Sequence, residues 1–311
     1  MHCIPIASLD DPRLAPYRQL KQSNLTRWSG QFIAEGKLVV ERLLASRFRT
    51  ESLLLSDRKL DLLPKLPPEG DLPVFVVTED QARELTGFNF HAGVMACGLR
   101  EEPDTIERFI PSCVDEGSSP PSRPASAAGQ GDDGASVQVL THPGSPDEGG
   151  QTAAHGRAQL LVACPRMTDP DNLGSLIRLC RAFGVAGLLL GEGCCDPFSR
   201  RTLRVSMGNA FALPTVESTD LRRDLTRLRT DAGYHLSATV LDSSATPLHA
   251  AARLPRDVLL LGNETHGLSS DWVEFCDRQL TIPMHGGTDS LNVSVAAGIF
   301  LHWLAQPAVP E

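Results

Sequence analysis

Three stretches in the second half of the chain share one pattern: a short apolar strand, a loop of glycine and polar residues, then a helical segment. The first is Leu160-Leu161-Val162-Ala163-Cys164, followed by Asp169-Pro170-Asp171-Asn172-Leu173-Gly174. The second is Val258-Leu259-Leu260-Leu261, followed by Gly262-Asn263-Glu264-Thr265-His266-Gly267-Leu268. The third is Leu280-Thr281-Ile282-Pro283-Met284, a Gly-Gly loop, and Asp289-Ser290-Leu291-Asn292-Val293-Ser294-Val295-Ala296. Strands that are apolar along their whole length are covered on both faces, as in a parallel sheet between helices. In such sheets the loops at the carboxyl ends of the strands gather on one side, where ligands bind.

Extended over residues 159–304, the pattern predicts strands at 159–164, 186–190, 235–241, 257–261 and 279–283. Helices are predicted at 173–183, near 197–207, and at 219–231, 270–276 and 290–304. Strands alternating with helices make an α/β class with a mostly parallel sheet. In the last helix, Ser290 or Asp289 is placed as the cap. Leu291, Val295, Gly298, Ile299 and His302 then fall on one side at packing intervals.

A chain of 311 residues with 41% hydrophobic content has enough apolar surface for two domains. Residues 1–102 read as a small α/β unit, with a strand or loop turning into a helix over 31–44. Strands follow at 52–55 and 74–77, a helix near 80–85, and a strand over 93–97. Residues 103–157 are rich in Pro, Gly, Ser and Asp, and are expected to be a disordered acidic linker. A short strand at 136–140 is a candidate within it. Residues 158–311 form the second domain.

The formal charge is −9, but residues 101–157 hold 3 Lys and Arg against 10 Asp and Glu, so most of the acidity sits in the linker. Neither flanking part has a basic excess. Local clusters at Arg200, Arg201, Arg204 and at Arg222, Arg223, Arg227, Arg229, with Arg18, Lys21 and Arg27, are then the groups able to meet phosphates. A merely solvated charged face is an equal reading for the 222–229 group. The eight cysteines form no CxxC pair and no zinc spacing, and are read as reduced thiols. No apolar run is long enough to span a membrane and no signal-peptide pattern opens the chain; a cytoplasmic protein without membrane association is expected.

The motifs NxGxxxR (Asn172, Gly174, Arg178), LGNExxGL (residues 261–268) and IPM…SLNVSVA (residues 282–296) together resemble those of the SpoU (TrmH) family of RNA ribose 2′-O-methyltransferases, in the SPOUT superfamily. The EGxxxV stretch at Glu35 and the TGFNFHAGVMA stretch at Thr86 are similar to the ribosomal-protein-like (L30e-like) substrate-binding domain that many members carry ahead of the catalytic one. A purely structural domain is the other reading. The resemblance implies a SPOUT domain ending in a trefoil knot, a homodimer, S-adenosylmethionine as cofactor, and RNA as substrate, with no role for DNA. The N-terminal domain favours rRNA over tRNA.

By the same resemblance the catalytic set is Arg178, Asn172, Glu264, Asn292 and Ser290, and no metal is implied. The cofactor is held by Thr239, Leu241, Gly262, Gly267, Ile282, Met284 and Leu291. Asn172 precedes the predicted helix and is also suited to capping it. Glu264, in a turn after a buried strand, needs hydrogen bonds from loop amides or from Asn292. Arg178 acts either on the hydroxyl proton or on a substrate phosphate; the second is physically easier for a guanidinium. Arg204, Ser206 and Gly208 match a further R-x-S-x-G turn, which lies near the active site and dimer contact in the family. His266 and His285 are not required by the motifs.

Two rivals remain. One is a non-catalytic RNA-binding or ribosome assembly factor on the same fold, which loss of Arg178, Glu264 or Asn292 would have marked. The other is a methyltransferase acting on a base nitrogen, against which the SLNVSVA motif argues. A dinucleotide enzyme is disfavoured because no GxGxxG follows the first strand of either domain.

Overall fold

Burial along the strands sorts the chain into two sheets. The computed structural model describes residues 2–18, 20, 29–65, 71–88, 90–111, 159–284 and 290–306. In the first part, β1 (His2–Pro5), β2 (Gln31–Glu35), α1 (Lys37–Leu44), β3 (Thr50–Ser56), β4 (Pro73–Val77), α2 (Glu79–Thr86) and β5 (Val94–Leu99) follow in order. The sheet runs β1-β4-β3-β5-β2, with β4 parallel to β1 and β3, and β5 antiparallel to β2 and β3. Thr78 and Gln81 form a capping box that starts α2, and Gly87, in the left-handed region, ends it. Sequence reading missed β1, an edge strand with mostly exposed side chains that leaves no alternating signal.

The second part contains β6 (Gln159–Cys164), α3 (Pro170–Ala182), β7 (Gly187–Leu190), α4 (Arg200–Val205), β8 (Thr215–Glu217), α5 (Leu221–Ala232), β9 (His235–Thr239), β10 (Thr246–Pro247), β11 (Arg256–Leu260), α6 (Ser270–Phe275), β12 (Arg278–Thr281) and α7 (Val293–Leu304). Its seven strands run β10-β12-β9-β11-β6-β7-β8, every pair parallel. The mostly parallel sheet expected from the sequence is therefore present. β8 and β10 went unread because three and two residues carry no periodicity.

Successive side chains of a strand point to opposite faces, and here both faces are covered. Leu160, Val162 and Cys164 join one core with Leu173, Leu176, Ile177, Phe300 and Leu301 of α3 and α7. Leu161 and Ala163 join another with Leu221, Leu225 and Leu228 of α5. That second core also takes Ile106 and Phe109, from a 3-10 turn at Ile106–Phe109. A Cβ on Gly187 would fall 2.2 Å from the Phe109 ring, so the glycine makes room for it. The packed chain thus continues to Ile110, past the sequence boundary at 102. The strand considered at 136–140 lies outside the described residues.

The two sheets belong to one compact unit. Phe32 lies 5.4 Å from Phe198 and 5.5 Å from Phe211, and Phe48 lies 5.1 Å from Phe198, ring centroid to ring centroid. Around this cluster Arg200 pairs with Glu35, and Arg100 pairs with Asp196 and Glu217. Among the described residues no helix is long and apolar enough to cross a membrane, and none of their His, Cys, Asp and Glu side chains cluster to hold a metal ion.

Candidate functional site

The first motif loop is set by a helix start. Asp169 caps α3 by accepting the Asp171 amide at 2.8 Å, and Pro170 takes the first helical position. Asn172 is consequently inside the first turn and 9% exposed, not in front of the helix as its sequence position suggests. The Asp-Pro pair is the signal that locates this boundary. Gly174 faces α4: a Cβ there would sit 2.7 Å from the Val205 side chain and 3.0 Å from the Thr202 carbonyl, so the two helices meet only without a side chain.

The second motif is a closed hairpin. Asn263 and Gly267 exchange both backbone hydrogen bonds at 2.9 Å, with Gly267 at φ 65° and Gly262 so close that a Cβ would lie 2.2 Å from the Gly267 carbonyl carbon. Glu264 is carried on this hairpin and reaches back to the start of α3. Its carboxylate accepts the Asp169 amide at 3.1 Å, the Asn263 Nδ2 at 3.0 Å and the Asn172 Nδ2 at 3.4 Å. Burial raises the carboxyl's pKa, but backbone amides of Glu264, Asp169 and Thr168 and the Asn172 side chain outweigh it and hold the group below its ordinary value. Its partners are thus loop amides and the side chains of Asn172 and Asn263, and Asn292, the other donor expected from sequence, bonds elsewhere.

Asn292 donates to Asn172 Oδ1 at 3.1 Å, and Ser294 Oγ reaches the same oxygen at 3.3 Å. Asn292 also caps α7 by accepting the Ser294 amide at 2.8 Å. This replaces the expected cap at Ser290 or Asp289; Asp289 lies outside the described residues. The helix also turns the other way from the reading of its spacing: Ala297, Phe300, Leu301 and Leu304 are buried, whereas Val295 and Ile299 are 53% and 40% exposed. Nearly every position of α7 is apolar, so spacing alone could not choose its inner face.

Asn172, Glu264 and Asn292 therefore form one hydrogen-bonded chain that fastens three loops distant in sequence. Beside it, at the carboxyl ends of β9, β11 and β12, opens a cleft of about 380 Å³. Thr239, Leu241, Gly262, Gly267, Ile282, Met284 and Leu291 all line it, as do Ser290 and Glu264. Leu261, Val293, Ala296 and Phe300 complete an apolar wall that motif reading did not single out. Their signal was the apolar run itself, which reads equally as core. Thr239 is turned by a hydrogen bond of 2.9 Å from its hydroxyl to the Leu260 carbonyl.

Arg178 is brought neither into this hydrogen-bonded chain nor onto the cleft wall. It is exposed, six residues beyond Asn172 on α3, and makes no hydrogen bond or ion pair to any described residue. It follows Gly174 by one helical turn, so it lies on the side of α3 that meets α4. The R-x-S-x-G turn ends α4 with Met207 at φ 55° and Gly208 at φ 79°, and the Met207 carbonyl accepts Arg42 Nη1 of α1 at 2.7 Å. That turn therefore links the two sheets.

Comparison with known proteins gives a consistent picture. The model of the SpoU rRNA Methylase family matches residues 159–302. Uncharacterized tRNA/rRNA methyltransferases of Mycobacterium bovis and Mycobacterium tuberculosis are 31% and 32% identical over 298 residues, covering 93% of this chain and 87% of theirs. Among solved structures, the AdoMet-bound rRNA methyltransferase from Sinorhizobium meliloti superposes with a TM-score of 0.70 at 25% identity, covering 97% of both chains. The SpoU methyltransferase AviRb from Streptomyces viridochromogenes shares the fold with a TM-score of 0.67 at 23% identity, covering 94% of this chain and 96% of its own.

Proposed function

Because the chain belongs to the SpoU rRNA methylase family, we propose that it transfers a methyl group from S-adenosylmethionine to a ribose 2′-hydroxyl of RNA, with rRNA favoured over tRNA. The observation that carries this reading is that every residue the sequence motifs assigned to the cofactor lines one cleft, beside the Asn172–Glu264–Asn292 chain. A cofactor-bound relative, the Sinorhizobium meliloti enzyme, supports it.

The cleft fits such a cofactor on its own chemistry. About 380 Å³ is within the size range of small-molecule sites. The wall from Leu261, Ile282 and Phe300 suits an adenine face, and the main chain at Gly262 and Leu291 can meet its edge. Among the described residues Glu264 is the one carboxylate in the lining, a counter-charge for a cationic sulfonium. When bound, S-adenosylmethionine supplies a methyl group already activated for displacement.

The chain's own work is then positioning. Glu264, held ionised by donors from α3, fixes the hairpin against the first motif loop, so cleft and substrate face cannot shift separately. Asn172 transmits the same constraint to the third loop through Asn292. Ser290, exposed in the cleft lining, takes the ribose or the methionine moiety in this reading. Arg178 serves as a phosphate clamp for the strand that presents the hydroxyl, since a guanidinium does not readily give up its proton. With Arg181 and Arg204, which also make no hydrogen bond or ion pair to a described residue, it forms the local basic face that net charge concealed.

Two further parts of the reading follow. The first sheet serves as an RNA-holding domain. The exposed Val295 and Ile299 of α7 are the face through which two copies pair as a homodimer. Calorimetric titration with S-adenosylmethionine tests the core of the proposal: micromolar affinity, about −8 kcal/mol, is expected. Mapping 2′-O-methyl groups on rRNA and tRNA from cells lacking the protein then identifies the target. A folded sample that binds no cofactor at millimolar concentration points to a non-catalytic RNA-binding factor.

A further inference from the structure

The 262–268 hairpin has two sides. One walls the cleft just described; the other walls a second cleft of about 520 Å³, bounded by Arg166, Thr168, Ser269 and Trp272. We propose that this second cleft is an RNA subsite, which takes a nucleotide neighbouring the methylated one with its phosphate on Arg166 and its base against Trp272. The inference rests on the RNA methyltransferase reading and adds to it a place where sequence or strand path is recognised.

The lining argues for an anionic, aromatic ligand. Arg166 is exposed and has no hydrogen bond or ion pair to any described residue. Among the described residues no Asp or Glu lines this cleft, although the chain as a whole carries −9. That separates it from its neighbour, where Glu264 faces the space. A cation without a carboxylate in the same wall, in an acidic protein, is a preformed phosphate site.

Trp272 supplies the second element. The Arg222 guanidinium sits 4.4 Å from its ring centroid and Phe275 stands edge-on at 5.8 Å, so the indole is held in place before any ligand arrives. A fixed aromatic ring next to an available cation is the pairing that single-stranded RNA binders use for base and backbone. Ser269 adds a hydroxyl able to donate and accept at the same wall, whereas the side chains of Asn263 and Thr168 are engaged with the Glu264 carboxylate. Because the two clefts share one hairpin as a wall, a strand with its ribose at the first is within reach of the second.

The test uses the full chain and two probes: a fluorescein-labelled mixed-sequence oligoribonucleotide, followed by anisotropy, and a nucleoside monophosphate as competitor. Arg166→Ala is expected to weaken oligonucleotide binding about tenfold and to flatten the slope of log affinity against log salt by about 0.7, the share of one phosphate. Arg166→Lys should recover most of both. Trp272→Leu should weaken binding roughly 5- to 150-fold, the range for loss of one stacked base; if that variant fails to fold, the Arg166 pair alone decides. Cofactor affinity measured by calorimetry should not move in any of them.

Unchanged affinity and salt slope in Arg166→Ala overturn the subsite. So does tight binding of the monophosphate with no competition against the oligonucleotide, which would mark a free-nucleotide site. Failure of the wild-type chain to bind S-adenosylmethionine is a different signature, and sinks the enzyme reading while the oligonucleotide comparison still decides the subsite.

Discussion

Two arginine-rich regions of this molecule look alike in sequence and differ in structure. On α5 the arginines are spent within the fold: Arg222 stacks on Trp272 and Phe275, Arg223 meets Asp224, Arg227 meets Glu107 and Asp231, and Arg229 meets Asp277 and the Phe275 carbonyl. On α3 and α4, Arg178, Arg181 and Arg204 make no hydrogen bond or ion pair to a described residue, whereas Arg200 pairs with Glu35 and Arg201 with Asp171. A cation already paired offers little to a phosphate, whereas an unpaired one keeps its field for a ligand. The difference gives the α5 arginines partners within the fold and leaves the α3–α4 face as the one proposed to meet substrate.

The largest effect should come from Arg178. Arg178→Ala is expected to lower kcat/KM for methyl transfer about 10²–10³-fold, the scale for removing one preorganised charge-stabilising group. Cofactor affinity and the thermal melt should stay near wild type, because the side chain neither lines the cleft nor bonds to a described neighbour. Transfer at the wild-type rate in this variant would erase the functional half of the comparison.

Asn172 sharpens the same contrast from the buried side of α3. Asn172→Ala takes a side-chain partner from both Glu264 and Asn292, which costs about 1–3 kcal/mol of stability. Denaturant unfolding should show that loss, and calorimetry should show weaker cofactor binding, since the hairpin and the third loop are no longer tied. One helix thus predicts opposite phenotypes six residues apart: Arg178→Ala stable and inactive, Asn172→Ala destabilised and poor at holding cofactor. If Asn172→Ala keeps wild-type stability, the hydrogen-bonded chain is not what fastens the loops.

How much of this could be read without the structure follows from the same residues. The strand, loop and helix pattern gave the parallel sheet, because strands buried on both faces and glycine-dependent loops leave strong local marks; the residues assigned to the cofactor came from the family resemblance. The first sheet's central strands were legible for the same reason, whereas β1 and β8 are too short or too exposed to leave such a mark. Helix facing was not legible in α7, where polar residues are too few to define an outside. Nor were partners: nothing local distinguishes Arg227, four residues before Asp231 and 120 residues from Glu107, from Arg204, which makes no hydrogen bond or ion pair to a described residue. Long-range pairing decides which charges remain available, and it is a property of the fold.

Salt dependence measures that availability directly. Arg181→Ala and Arg204→Ala should each weaken RNA binding severalfold and flatten the salt slope by about 0.7, as expected when one phosphate is no longer neutralised. Anisotropy with the same oligoribonucleotide over a range of salt concentrations reads both quantities. Slopes unchanged in both variants would mean that the α3–α4 face is solvated without touching RNA.

The smallest effect is expected from α5, and its smallness is informative. Arg227 lies on the protein surface and pairs with Glu107, which belongs to the turn that docks Ile106 and Phe109 on the second core. Its guanidinium, with Thr105 also donating, holds the Glu107 carboxyl down to about 2. A carboxyl depressed in the folded state stabilises the fold above the unfolded value of about 4.3, and that contribution is lost as pH falls toward 2. Arg227→Ala should therefore return the Glu107 titration, followed by NMR, toward about 4.3, while the pH dependence of unfolding below that value flattens. RNA affinity, its salt slope and methyl transfer should remain those of the wild type, because this cation was already engaged within the chain. A fall in RNA affinity in Arg227→Ala would show that internal pairing does not remove an arginine from the substrate's reach, and would collapse the distinction between α5 and the α3–α4 face.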